Sequence, residues 1–294
     1  MTVGRGAGRE VRTTGIDRNN RSAWSDKRVL HEFAAGEASP RSGWWSDPGE
    51  RAAFLWIASR VRGQPVLDVG VGGGRTVPIL RLMTDDYLGI DYTPAMVDLC
   101  REAFPGVDVR VADARDLAPL PSEQFGLVVF SFNGLDAIDH DDRSAALREF
   151  FRVLRPGGDL LFSTHNKEGP AFNATPWHRA GPPQGPGWPA SYRIARFVGG
   201  IMLNPLHYPR SVSNWRRLHA QAVDAGDWGI GPVEAHDFDL LIHFTTLAAE
   251  VRELEEIGFS VSAVFDAERG RVRQVDDDLT DVRYFHIVAS KPAA

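Results

Sequence analysis

The stretch VLDVGVGGGRT, residues 66–76, constrains this chain more than any other. An apolar run reads as a short buried strand. It ends in an acid and a loop with almost no side chains, and GRTVPILRLM then carries a helical pattern that opens on the glycines. The same alternation repeats downstream. DYLGIDY is a second strand, and TPAMVDLCREAF is a helix with Thr93 as N-cap and Pro94 at its first position. VDVRVADA and FGLVVFSFN are further strands, DDRSAALREFFRVL is a helix halted by RPGG, and DLLFSTHN is a fifth strand. WSDPGERAAFLWIASRV precedes them as a helix with Ser46 as candidate cap. Strands alternating with helices imply βαβ units and a parallel sheet covered by helices on both faces. Later, AHDFDLLIHFT, SVSAVFD and YFHIVASK read as strands around the amphipathic helix TLAAEVRELEEIGF, which Thr245 or Thr246 caps and Gly258 ends.

Backbone as bare as residues 70–74 approaches a ligand closely. A phosphate-binding loop needs a Lys-Ser/Thr pair after its last glycine, but Gly74 is followed by Arg75 and Thr76. A dinucleotide fingerprint needs a third glycine where Arg75 stands. What remains is Asp68-x-Gly70-x-Gly72-x-Gly74. An acid two residues before the first glycine suits a ligand bearing positive charge. S-adenosylmethionine, with a sulfonium and an ammonium and no phosphate, is such a ligand. Asp91 ends the second strand, roughly 20 residues on, where an acid can accept both ribose hydroxyls. Asp113 and Ala114 end the third, where an acid can take the adenine amino group.

VLDVGVGGGRT, GIDYTPAM, VADARDL, FGLVVFSFNGLDAI and FRVLRPGGDLLFSTHN resemble, in order, the motifs of class I S-adenosylmethionine-dependent methyltransferases. The resemblance is close over about residues 60–166 and looser over the last helix and strands. It implies an α/β, Rossmann-like, mostly parallel sheet of seven strands in the order 3-2-1-4-5-7-6, the last antiparallel, with helices on both faces and a lid insertion after strand 5. It further implies that Asp68, Gly70, Gly72 and Gly74, with Arg75 and Thr76 beside them, line the methionine end of the cofactor. Asp91 would bind the ribose, Tyr92 and Met96 would pack near the adenine, and Asp113 and Ala114 would contact its edge. Ser131, Phe132 and Asn133 would border the transferring methyl. SDPGERAAF and AHDFDLLIHFTTLAAEVRELEEIGF also resemble bacterial small-molecule and peptide-modifying members of the class.

The acceptor is legible only by charge. From Gly169 to Val223 there is no Asp or Glu, whereas Arg193, Arg196, Arg210, Arg216 and other arginines are interleaved with Tyr208, Trp215 and further aromatics. Such a segment suits a cap that grips an acidic, carboxylate-bearing acceptor by arginine forks and aromatic walls. Those six residues, with Asn166 at the end of the fifth strand, are the expected acceptor contacts. His165 and, second, His236 are the candidate bases. The expected reaction is O-methylation of an acidic small molecule or peptide, as in natural-product biosynthesis. N-methylation of an amine or amino-acid-like molecule is the alternative. An RNA methyltransferase and a non-catalytic S-adenosylmethionine-binding protein stand behind both. Formal net charge −6 and the sequence Asn133-Gly134-Leu135-Asp136, where amino-methylating nucleic-acid enzymes carry a [DN]PP[YF] motif, argue against nucleic acid.

With Cys100 as its single cysteine, the chain has no disulfide framework and no cysteine zinc site; no metal is expected. Without a long apolar run or a signal-like start, it is expected to be cytoplasmic and off the membrane. The expected organisation is a disordered tail over 1–22, the cofactor-binding core over 23–166, the lid over 167–244 and the rest of the core over 245–294.

Overall fold

The computed structural model describes residues 15–24, 46–177 and 207–293. Helix α1 (Gly15–Trp24) comes first, followed by α2 (Pro48–Val61). The alternation then runs β1 (Val66–Val69), α3 (Val77–Met83), β2 (Tyr87–Asp91), α4 (Pro94–Ala103) and β3 (Val109–Val111). Strand β4 (Phe125–Phe130), a short 3-10 turn (Gly134–Ala137), α5 (His140–Val153) and β5 (Leu154–Asn166) complete the first half. Beyond the undescribed stretch lie α6 (His207–His219), β6 (Val223–Asp224), β7 (Trp228–Pro232), a 3-10 turn (Ala235–Phe238) and β8 (Leu241–Thr245). Helix α7 (Leu247–Ile257), β9 (Ser260–Asp266) and β10 (Tyr284–Ser290) close the fold.

Strands β3, β2, β1, β4 and β5 pair in that order, all parallel. β10 runs antiparallel to both β5 and β9, so the core order is 3-2-1-4-5-10-9, the expected seven-stranded pattern with its one reversed strand. A second branch grows from the end of β5. His165 and Asn166 pair in parallel with Phe244 and Thr245 of β8, and β7 and β6 follow antiparallel.

Period-two alternation divides the core. Leu67 and Val69 of β1 join Phe125, Phe150, Phe162 and Leu254 on the face covered by α5 and α7. Val66 and Leu127 point the other way, toward Phe54, Ile57, Leu80 and Val97 of α2, α3 and α4. Each helix begins where its cap chemistry dictates. Asp47, rather than the expected Ser46, caps α2: its carboxylate accepts the Glu50 N–H at 2.8 Å and Pro48 occupies the first turn. Thr246 caps α7 through the Ala249 N–H, and Gly258 ends it at φ +114°.

Two boundaries depart from the sequence expectation. Residues 15–22, placed in a disordered tail, belong to α1, whose order comes from polar contacts to distant segments that no local pattern reveals. The stretch expected to be a lid supplies α6 and three sheet strands; Gly229, Gly231 and Pro232 hide β7 from a propensity reading. Among the described residues, no helix is long and apolar enough to cross a membrane.

Candidate active site

A cleft opens at the carboxyl ends of β1, β2, β3 and β4. Asp68 sits in its floor, 1% exposed, and accepts hydrogen bonds from Thr76 Oγ1 at 2.6 Å and the Tyr87 hydroxyl at 2.7 Å. Burial pushes its carboxyl up to about 6, against the pull of those two donors and of the Arg75 charge. Gly70 and Gly72 follow with φ of +63° and +53°, the left-handed region that favours glycine. A Cβ on Gly70 would lie 2.6 Å from Phe130 Cε2, so the bare backbone also makes room for the ring beneath the loop.

Asp91 closes the second side. Its Oδ2 accepts the Gly72 N–H at 3.0 Å and its Oδ1 the Thr93 N–H at 2.8 Å, which ties the end of β2 to the glycine loop. Burial raises its pKa, opposed by those backbone bonds. Asp113 lies at the third strand. Burial pushes its carboxyl upward, but hydrogen bonds and charge from Arg115, with Arg21, hold it below the ordinary range. The Arg115 guanidinium bridges Asp113 at 2.7 Å, Asp142 at 3.0 Å and Asp17 at 3.2 Å.

A buried ion pair stands at the fourth strand. Arg75 forks onto Glu50 at 2.7 and 2.8 Å and donates to Ser131 Oγ at 2.8 Å, while the Ser131 hydroxyl also bonds Glu50. Phe132 and Asn133, at φ +55° and +60°, turn the chain sharply out of β4. The Phe132 ring lies 5.2 Å from the Arg75 guanidinium.

The cleft therefore gathers Asp68, Gly70, Gly72, Arg75, Thr76, Asp91, Tyr92, Met96, Asp113, Ala114, Ser131 and Phe132 from the expected cofactor set. Two members lie off it. Gly74 packs a helix joint instead, since a Cβ there would meet Phe104 Cε2 at 2.5 Å and Cys100 Sγ at 2.9 Å. Asn133 is held by Ser163 through its backbone N–H at 2.7 Å.

The expected acceptor residues scatter. Asn166 is fully buried and structural: its amide donates to the Leu279 and Val282 carbonyls and its Oδ1 accepts the Glu168 N–H. Its position at a strand end on the ligand edge suggested substrate contact, but backbone groups take its polar atoms. Trp215 Nε1 donates to the Ala174 carbonyl, and the ring stacks on His219 with centroids 4.3 Å apart. Tyr208 and Arg216 border a separate shallow depression on α6, and Arg210 is exposed on the same helix. Arg193 and Arg196 lie outside the described residues, as does the side chain of His236. His165 is anchored by Asp136: Oδ2 receives both its backbone N–H and its ring Nδ1 at 2.7 Å. Asp136 belongs to the turn whose Gly134 and Ala137 line the cleft.

Sequence reasoning missed Asp17, Arg21 and Arg115 as cleft residues, and Glu50 as the buried partner of two others, Arg75 and Ser131. Glu50 reads locally as a dipole-favoured acid in a first helical turn, and only its burial to 1% and its fork with Arg75 give it another meaning.

The donor set fits S-adenosylmethionine. Asp68 offers negative charge to an ammonium, Asp91 a carboxylate with one site left on each oxygen to paired hydroxyls, and Met96 an apolar wall. The strand order is the one that the resemblance to the class I S-adenosylmethionine-dependent methyltransferases implies. Residues 66–158 match the family described as the methyltransferase domain. A probable S-adenosylmethionine-dependent methyltransferase of Mycolicibacterium smegmatis is 36% identical over 112 residues, which is 38% of this chain and 42% of that protein. A ubiquinone biosynthesis O-methyltransferase of Pseudomonas savastanoi pv. phaseolicola is 33% identical over 124 residues, 40% of this chain and 52% of that protein. The chain thus spans about half the length of the curated relatives it matches. In fold it is similar to the Burkholderia thailandensis 1,6-didemethyltoxoflavin-N1-methyltransferase, crystallised with its substrate and S-adenosylhomocysteine. The TM-score is 0.54 at 14% identity, covering 94% of this chain and 88% of that one.

Proposed function

We propose that this chain transfers the methyl group of S-adenosylmethionine to an oxygen of an acidic, carboxylate-bearing small molecule or peptide. The observation that carries the first half is the row of buried or half-buried acids, Asp68, Asp91 and Asp113, at the ends of three adjacent parallel strands. When bound, the cofactor supplies an electrophilic methyl on a sulfonium that is already a good leaving group. The chain's work is to bind, to align and to exclude water. Asp68 holds positive charge at the methionine end, Asp91 holds the ribose, and Phe130, pressed beneath Gly70, keeps the floor dry.

The acceptor half rests on the acid-free, arginine-rich segment 169–223 and on the O-methyltransferases among the relatives. A carboxylate acceptor needs no base. A hydroxyl acceptor needs one; the candidate is His165, which lies outside the cleft lining but whose Nδ1 meets Asp136 and leaves Nε2 as the basic nitrogen.

Calorimetry with S-adenosylhomocysteine on wild type and Asp91→Ala tests the cofactor reading, and methyl transfer to a panel of carboxylates, hydroxy acids and amines tests the acceptor. Tight binding lost in the variant and turnover of acidic acceptors support the proposal. Binding of NAD in place of S-adenosylhomocysteine overturns it, and turnover of amines alone replaces O- by N-methylation.

A further inference from the structure

Helix α1 lies outside the matched domain, yet it touches the cofactor cleft along one side and the insert along the other. On the cleft side, Asp17 accepts from Arg115 Nη2 at 3.2 Å and from Arg21 Nε at 2.9 Å. Arg21 Nη2 donates to Asp113 Oδ2 at 3.1 Å, and its guanidinium lies 4.4 Å from the Tyr92 ring centroid. On the far side, Asn20 exchanges two hydrogen bonds with the backbone of Leu241, at 2.7 and 3.2 Å. Asn19 donates to the Asp239 carbonyl and accepts from Arg217 of α6. Ile16 packs in one apolar cluster with Leu218 of α6, Leu241 and Ile230.

We propose that α1 is a working part of the cofactor site: Asp17 and Arg21 position the Asp113–Arg115 pair against the adenine, and α1 carries cofactor occupancy to α6 of the insert. The proposal rests on the S-adenosylmethionine reading of the cleft. Asp113 accepts four hydrogen bonds, three from Arg115 and one from Arg21 of α1, so the placement of its carboxylate depends on where α1 docks. The helix has ten residues and a polar sequence, GIDRNNRSAW. A helix of that length is marginal in water by itself, so its order comes from its two docking faces. A ligand that strengthens the cleft face stabilises the docked helix, and with it the surface on which Leu218 and Arg217 sit. The cofactor cleft and α6 are thereby linked through one short element.

Hydrogen exchange of the full chain, with and without S-adenosylhomocysteine, reads this directly. The expected result is slower exchange on binding in both 15–24 and 207–219. Arg21→Ala weakens S-adenosylhomocysteine by about tenfold and, at saturating ligand, removes the slowing in 207–219. Arg21→Lys restores part of both, and Asp17→Asn gives the weakening through a different side chain. Leu218→Ala, away from the cleft, keeps affinity within about threefold and slowing in 15–24 but loses it in 207–219. Binding without any change in 15–24, or with 15–24 slowed and 207–219 indifferent in wild type, overturns the proposal. No binding by wild type removes the cofactor reading and the proposal together.

Discussion

Asp136 Oδ2 receives two donors from one residue, the backbone N–H and the ring Nδ1 of His165, each at 2.7 Å. Its other oxygen receives Arg143 Nη1 at 2.8 Å and Thr164 Oγ1 at 2.6 Å. Asp136 is fully buried, and these four bonds fill the acceptor sites of its carboxylate. An ionised carboxylate only accepts, and the proton of a neutral His165 is thereby assigned to Nδ1.

That assignment is measurable. In wild type at neutral pH, imidazole nitrogen-15 shifts of His165 are expected to report the Nδ1–H tautomer. Asp136→Asn, which can present either an oxygen or an amide to the ring, is expected to mix the tautomers. A wild-type spectrum dominated by Nε2–H would remove His165 as a base.

Arg143 ties this turn to the C-terminal helix, for its other arm meets Glu250 at 2.8 Å with both residues 1% exposed. Replacing it with Met leaves two buried acids without their counter-charge. The expected loss is about 3–5 kcal/mol of folding stability, read from the denaturant midpoint. A loss under about 1 kcal/mol would mean that water reaches the site.

The raised pKa of Asp68 makes binding depend on pH. Burial lifts it to about 6 from an ordinary value of 3.8. The neutral form therefore favours the fold at low pH, and that contribution fades as pH rises through about 6. Affinity for S-adenosylhomocysteine runs the opposite way, because the ionised form attracts the ammonium. Calorimetry is expected to show affinity climbing through pH 6 to a plateau in wild type, and a weaker, flatter profile in Asp68→Asn.

The cleft floor is sensitive to one methyl group. Gly70→Ala places a Cβ against Phe130 at a residue with φ +63°. The expected cost is about 1–3 kcal/mol, together with weaker S-adenosylhomocysteine binding as the ring is displaced. Thermal melts and titration of the same preparation separate the two effects.

The sequence by itself determined the βαβ rhythm, the strand that carries each acid and the bare glycine loop after the first strand. Each follows from a local rule: alternation of apolar residues, caps, and backbone conformations closed to side chains. It placed Asp68, Asp91 and Asp113 at one edge because strand ends in a parallel sheet share an edge wherever the helices return the chain. Asn166 shows the limit. Its position at a strand end was legible, but its three partners, Leu279, Val282 and Glu168, were not. Only the tertiary structure decided that Glu50 is the partner of Arg75, that Arg21 of α1 meets Asp113, and that Asp136 orients His165. Those pairs are separated by 25, 92 and 29 positions. No local preference encodes such a pair; burial of one charge selects its counter-charge from whatever the completed fold brings within reach.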